Sequence, residues 1–201
     1  GILICNDNPY SFILNDRPLS ILAQPGAMEC CLELNSLSKA HNMAGWRIGM
    51  VAAETDVIAQ ILKVKSQMDS GMFKPLQMAA VQALAQGPEW FAALNDEYRR
   101  RRVLAGEIFD LLGVEYDHDS TGMFLWGRVS QHAGSGDSGR CDDCTSRGQA
   151  LSDRILYEAG VFITPGFIFG KNGEDYVRIS LCAKPEVLER AAQNIKSVFC
   201  K

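Results

Sequence analysis

One stretch constrains this chain more than any other: Asn35-Ser36-Leu37-Ser38-Lys39-Ala40-His41-Asn42-Met43-Ala44-Gly45-Trp46-Arg47-Ile48-Gly49. It joins two apolar runs, residues 30–35 and 47–53, that read as strands. A lysine ends the first run, two serines precede it, and an arginine opens the second. The connection therefore gathers an amine, hydroxyls and a guanidinium within one short segment.

The rest of the chain reads as strands interleaved with helices. Residues 2–6 form a short apolar strand stopped by Asp7-Asn8-Pro9. Residues 11–29 are irregular, punctuated by Pro18, Pro25 and Gly26. Residues 54–68 are an amphipathic helix with Val57, Ile58, Ile61, Leu62 and Val64 on its apolar side. Pro75 opens a helix that runs to about Gln86, and residues 89–112 form one long helix ended by Gly113. Arginines 99–102 read as a solvated face of that helix, paired with Glu97 and Glu107. Beyond it, strands are expected at 114–116, 123–129, 161–163 and 176–181, with helices at 148–159 and 185–199. Residues 130–146, rich in Gly, Ser and Asp, read as a surface loop.

The predicted class is α/β. The first half reads as part of a mainly parallel sheet with helices, at 1–88, and the second as a long helix with a small α+β domain, at 89–201. The chain opens inside what reads as a buried parallel strand, so it is expected to be the C-terminal part of a longer protein.

Composition excludes several classes. The chain has 201 residues, 47% of them hydrophobic, enough for a real core. Its net charge of −4 gives no basic field for nucleic acid or an anionic membrane. No apolar run approaches the roughly 20 residues of a membrane helix. Seven cysteines are an odd number in a chain too apolar to need staples, which points to a reducing, cytoplasmic compartment. Cys141-Asp142-Asp143-Cys144 has His132 upstream but no second ligand pair, and a metal site needs about four ligands, so no metal is expected.

The chemistry of the central stretch suits an aldehyde cofactor that carries a phosphate. The Lys39 amine can form a Schiff base, and Ser36 and Arg47 can hold phosphate oxygens. Asp7 ends the first strand, where a carboxylate can pair with a protonated ring nitrogen. Tyr10 can donate its hydroxyl to a phenolic oxygen. Arg178, in Tyr176-Val177-Arg178-Ile179, is unusual among aliphatic strand neighbours unless it has a partner.

Ser-x-Ser-Lys-x-x-Asn-Met-x-Gly-Trp-Arg-x-Gly closely resembles the signature of the class I/II aminotransferases, fold-type-I enzymes that use pyridoxal 5'-phosphate (PLP). Asp7-Asn8-Pro9-Tyr10 resembles the family's Asp-x-x-Tyr, and Thr164-Pro165-Gly166 through Gly173 and Arg178 resemble its C-terminal pattern. The resemblance implies Lys39 as catalytic lysine. It implies Asp7, Tyr10, Ser36, Lys39 and Arg47 as PLP-binding residues, and Arg178 as the grip on a substrate α-carboxylate. It implies transamination between an amino acid and a 2-oxo acid, in a homodimer. It also implies a missing N-terminal half that would supply a Gly-rich phosphate loop and a ring-stacking aromatic. A PLP-dependent carbon–sulfur β-lyase and a non-catalytic, aminotransferase-like regulatory domain fit the same residues.

Overall fold

Strand β1 (Ile4–Asp7) lies parallel to β2 (Cys31–Ser36), with Asp7 opposite Leu34. Strand β3 (Gly49–Ala53) runs antiparallel to β2, with Gly49 opposite Ser36. The computed structural model describes residues 1–130 and 146–199. A parallel pair needs a crossover. Here residues 8–30 provide it with two 3-10 turns, Ile21–Ala23 and Ala27–Glu29, and no long helix.

Helices α1 (Leu37–Ala40), α2 (Thr55–Met68), α3 (Lys74–Leu84) and α4 (Pro88–Leu112) follow in order around and after these strands. Leu37, Met43 and Ile48 are buried together, and Leu76, Ala79, Ala80 and Ala83 of α3 pack on them. The connection that carries Lys39 is thus anchored on both sides of the lysine by apolar burial.

The chain divides into two compact units, Gly1–Asn95 and Asp96–Lys201, and the division falls within α4. The second unit holds an antiparallel sheet in the order β4 (Val114–Tyr116), β5 (Phe124–Val129), β7 (Tyr176–Ser180), β6 (Thr164–Pro165). Alternation sorts its two faces. Leu125, Val129, Val177 and Ile179 are buried, as are Ile108 and Phe109 of α4. Leu151 and Ile155 of α5 (Arg147–Ala159) and Leu188 and Ile195 of α6 (Pro185–Phe199) complete this core. Helix α5 begins where Ser146 accepts the Gln149 N–H and ends at Gly160, whose φ of 67° suits glycine.

The structure departs from the sequence expectations at several places. Strand β6 is Thr164–Pro165, not 161–163, because the Ile163 carbonyl is taken by the Ser152 hydroxyl and the ladder starts at Thr164 opposite Arg178. Strand β3 starts at Gly49, not Arg47, because Arg47 adopts a left-handed backbone, φ 54°. On α2, Val57, Ile58 and Ile61 are half-buried but Leu62 and Val64 are exposed, since no element among the described residues covers that edge of the stripe. Strand β1 is parallel as expected but not buried: Ile4 is 48% exposed.

A further departure is the arginine run. Glu97 binds Arg101 (2.8 Å), as expected, and Arg99 pairs with Asp96 (2.6 Å), a partner the sequence reading did not name. Arg101 and Arg102 also donate to the Leu181 and Ser120 carbonyls, both at 3.1 Å, so they tie the C-terminal part of α4 to the rest of the second unit rather than facing only solvent. The Cys141–Cys144 motif and His132 lie outside the described residues.

Candidate active site

The parallel pair brings the first group of candidate residues to one end of the sheet. Asp7 is the last residue of β1, and the next N–H, of Asn8, donates to the Leu34 carbonyl at 2.9 Å. Two residues past Leu34, Ser36 caps α1, its hydroxyl accepting the Ser38 N–H at 3.1 Å. Lys39 lies in the single turn that follows. Its ammonium sits 5.9 Å from the centre of the Tyr10 ring, within reach of a cation–π contact. Among the described residues, it has no other charged or hydrogen-bonding partner. A half-buried amine left uncommitted, over an aromatic ring, is one that a ligand can engage.

Ser36 pairs with Gly49 at the end of the β2–β3 ladder, two residues past Arg47. The Ser36 hydroxyl donates to the Ile48 carbonyl at 3.4 Å, and the Leu37 N–H donates to the same carbonyl at 3.2 Å. Arg47 is the neighbouring residue. Its left-handed backbone turns the chain, and its guanidinium donates to the Ala44 carbonyl at 3.0 Å. It lines an open groove of about 760 Å³ with Lys65, Met72 and Phe73. Lys65 is paired with Asp69 at 2.7 Å, whereas Arg47 forms no ion pair among the described residues. By their chemistry an amine, a phenol, a carboxylate, a hydroxyl and a guanidinium are groups that PLP can engage, although the groove at Arg47 is not lined by Asp7, Tyr10, Ser36 or Lys39.

Three residues that sequence reasoning passed over hold this end in place. Glu33, buried in the middle of β2, accepts hydrogen bonds from Asn35 (2.8 Å), Ile21 N–H (2.9 Å), Ser20 (2.9 Å) and Asn6 (3.1 Å). Burial opposes its charge, but these donors outweigh burial and hold its carboxyl below the usual carboxylate range. Its signal in sequence was an acid inside an apolar strand. Trp90 donates its indole N–H to the carbonyl of Ala40, next to Lys39, at 3.0 Å. Asn95 accepts from Leu14 N–H (2.8 Å) and donates to the Phe12 carbonyl (3.0 Å), fixing the turn at Leu14, whose φ is 49°. His41 packs edge-on against Phe91, and burial lowers its pKa.

Arg178 belongs to the second unit. It stands on the half-buried face of β7, opposite Trp126 on one side and Thr164 on the other. Among the described residues its partners are aromatic and not acidic: its guanidinium carbon lies 4.4 Å from the centres of both the Phe124 and the Phe169 rings. Its Nε is buried with no hydrogen-bond partner.

The family of aminotransferases class I and II matches residues 11–195. The chain belongs to that family. LL-diaminopimelate aminotransferase of Oleidesulfovibrio alaskensis is 38% identical over 201 residues, covering 98% of this chain and 48% of that protein. The enzyme of the same name from Aquifex aeolicus is 36% identical. Among solved structures, the fold is similar to a probable N-succinyldiaminopimelate aminotransferase from Thermus thermophilus, with TM-score 0.82 and 29% identity over 98% of this chain and 50% of that one. An aromatic aminotransferase from Pyrococcus horikoshii gives TM-score 0.81 and 30% identity, over the same shares. The chain spans about half the length of the curated relatives it matches. Among the described residues, no helix is long and apolar enough to cross a membrane, and no cluster of three or more His, Cys, Asp or Glu side chains suits a metal.

Proposed function

We propose that this chain carries the lysine half of the active site of a PLP-dependent aminotransferase that moves an amino group between an amino acid and a 2-oxo acid. The observation that carries this reading is the uncommitted Lys39 amine over the Tyr10 ring, at the end of the parallel pair that finishes in Asp7. PLP, when bound, supplies an electrophilic aldehyde and an electron-withdrawing ring. The chain's own residues do the rest. Asp7 accepts the ring nitrogen's proton in a hydrogen bond and keeps it there at neutral pH. Tyr10 donates its hydroxyl to the phenolic oxygen. Ser36 and Arg47 hold phosphate oxygens, with Arg47 the rigid, permanently charged member. Lys39 Nζ would be the base that takes the proton from the substrate α-carbon and holds it for its return. Arg178 binds the substrate α-carboxylate.

In this reading residues 1–88 correspond to part of the large PLP-binding domain, and residues 89–201 to the linking helix and the small domain. The relatives' names make LL-diaminopimelate the first amino donor to assay. A homodimer accords with the exposed apolar side chains of Phe73, Met78 and Val81 at and along α3. The free thiols of Cys30 and Cys31 accord with a reducing cytoplasm.

The test is covalent trapping. PLP-loaded protein is reduced with borohydride, digested and mapped by mass spectrometry. A pyridoxyl adduct on Lys39, absent from Lys39→Ala, supports the assignment. An adduct that survives unchanged in Lys39→Ala refutes it.

A further inference from the structure

We propose that Phe124 and Phe169 are positioning residues for Arg178: flanking its guanidinium, they hold it so that only its two terminal Nη groups are left to receive a carboxylate end-on. This rests on the reading of Arg178 as the substrate-carboxylate grip.

The argument begins with sheet register. On the antiparallel β5–β7 pair Arg178 faces Trp126, and Phe124 faces Ser180, so Phe124, Trp126 and Arg178 share the outer face. An arginine there would normally be hydrated or paired with an acid. Instead, each phenyl ring centre lies 4.4 Å from its guanidinium carbon, a distance at which the flat cation packs on ring faces. Of its nitrogens only Nε is both buried and without a partner, so a side-on approach through Nε is closed. The end-on pair of Nη groups remains, and a carboxylate meets it with two hydrogen bonds.

Phe169 is itself held. It ends the 3-10 turn Gly166–Phe169, and its ring meets Trp126 edge-on at 5.7 Å. Trp126 stacks on Tyr176 at 5.2 Å and 13°. The turn lies against the next one, Lys171–Gly173, so closely that a Cβ on Gly173 would sit 2.2 Å from the Gly166 carbonyl oxygen. Gly170, with φ 116°, links the two turns. A phenyl ring that remains 52% exposed is therefore kept over the arginine by backbone packing, not by burial in the core.

The test compares amino-donor kinetics of the PLP-loaded enzyme carrying Phe169→Leu, Phe124→Leu, Phe169→Tyr or Arg178→Gln. It adds the Arg178 Nε–Hε NMR resonance of the protein without substrate. Each leucine variant is expected to raise KM about tenfold with kcat held within about twofold, the weight of one lost cation–π contact. Its Nε–Hε resonance should move toward that of a free arginine. Phe169→Tyr should restore KM. Unchanged KM in Phe169→Leu, with KM raised in Arg178→Gln, overturns the clamp and leaves the role of Arg178 standing. Unchanged KM in Arg178→Gln overturns the reading of Arg178 and the clamp with it. Should Phe124→Leu not fold, the half-exposed Phe169 decides alone.

Discussion

The side-chain amide of Asn6 donates to Glu33 Oε2 at 3.1 Å across the β1–β2 pair, one residue before Asp7. The same carboxylate binds Ser20 and the Ile21 N–H in the crossover. One buried charge therefore fastens the strand that ends in Asp7 and the loop that follows it.

Glu33→Gln replaces an acceptor oxygen with a donor amide where every neighbour donates. It should cost about 2 kcal/mol at neutral pH. The folded carboxyl titrates below its unfolded value of about 4.3, so its contribution is full above that pH and is lost as pH falls through the folded value. Urea midpoints of wild type and Glu33→Gln should accordingly differ most near neutrality and converge in acid. A gap that widens in acid would reverse this account.

Trp90→Phe keeps most of the ring but removes the N–H that the Ala40 carbonyl accepts. The expected loss is about 1 kcal/mol, with amide hydrogen exchange quickening through α1. Protection in α1 identical to wild type would show that this bond does not support the lysine turn.

Asp7→Asn is nearly isosteric, on a side chain with no hydrogen-bond partner among the described residues. Stability should stay within about 0.5 kcal/mol of wild type. The PLP-loaded enzyme should lose roughly 10²–10³ in kcat, because the ring nitrogen loses its anionic partner. Steady-state kinetics beside a thermal melt separates the two effects, and undiminished kcat would remove Asp7 from the site.

Gly173→Ala forces the Gly166 and Gly173 backbones apart, since the new methyl would lie 2.2 Å from an oxygen. The cost should be about 1–3 kcal/mol, read from denaturant unfolding. Gly45→Ala, whose Cβ meets nothing within 4 Å, is the matched control and should be near neutral.

The regular elements were largely legible because their patterns are strong. Helix α6 has the expected bounds, Pro185–Phe199, since a proline opens it and an apolar stripe runs its length. The closeness of Lys39 to Tyr10 was legible only through motif resemblance; nothing in the spacing of residues 10 and 39 demands it. Helix α1 was missed because a single turn has no period to detect, only the Ser36 cap. The anchoring of Glu33 was illegible for another reason. Its donors come from residues 6, 20, 21 and 35, and only the folded crossover gathers them. The same holds for Arg178, whose two rings arrive from a strand and from a turn.

Among the described residues strand β1 stands at the rim of its sheet, next to β2 alone, with Ile2 87% and Leu3 51% exposed just ahead of it. Its outward N–H and C=O groups are a template for any extended peptide, and the greasy residues beside them reward such zippering. Prepared alone at high concentration, these 201 residues should oligomerise through that border. A charge at Leu3, as in Leu3→Lys, should keep them dispersed.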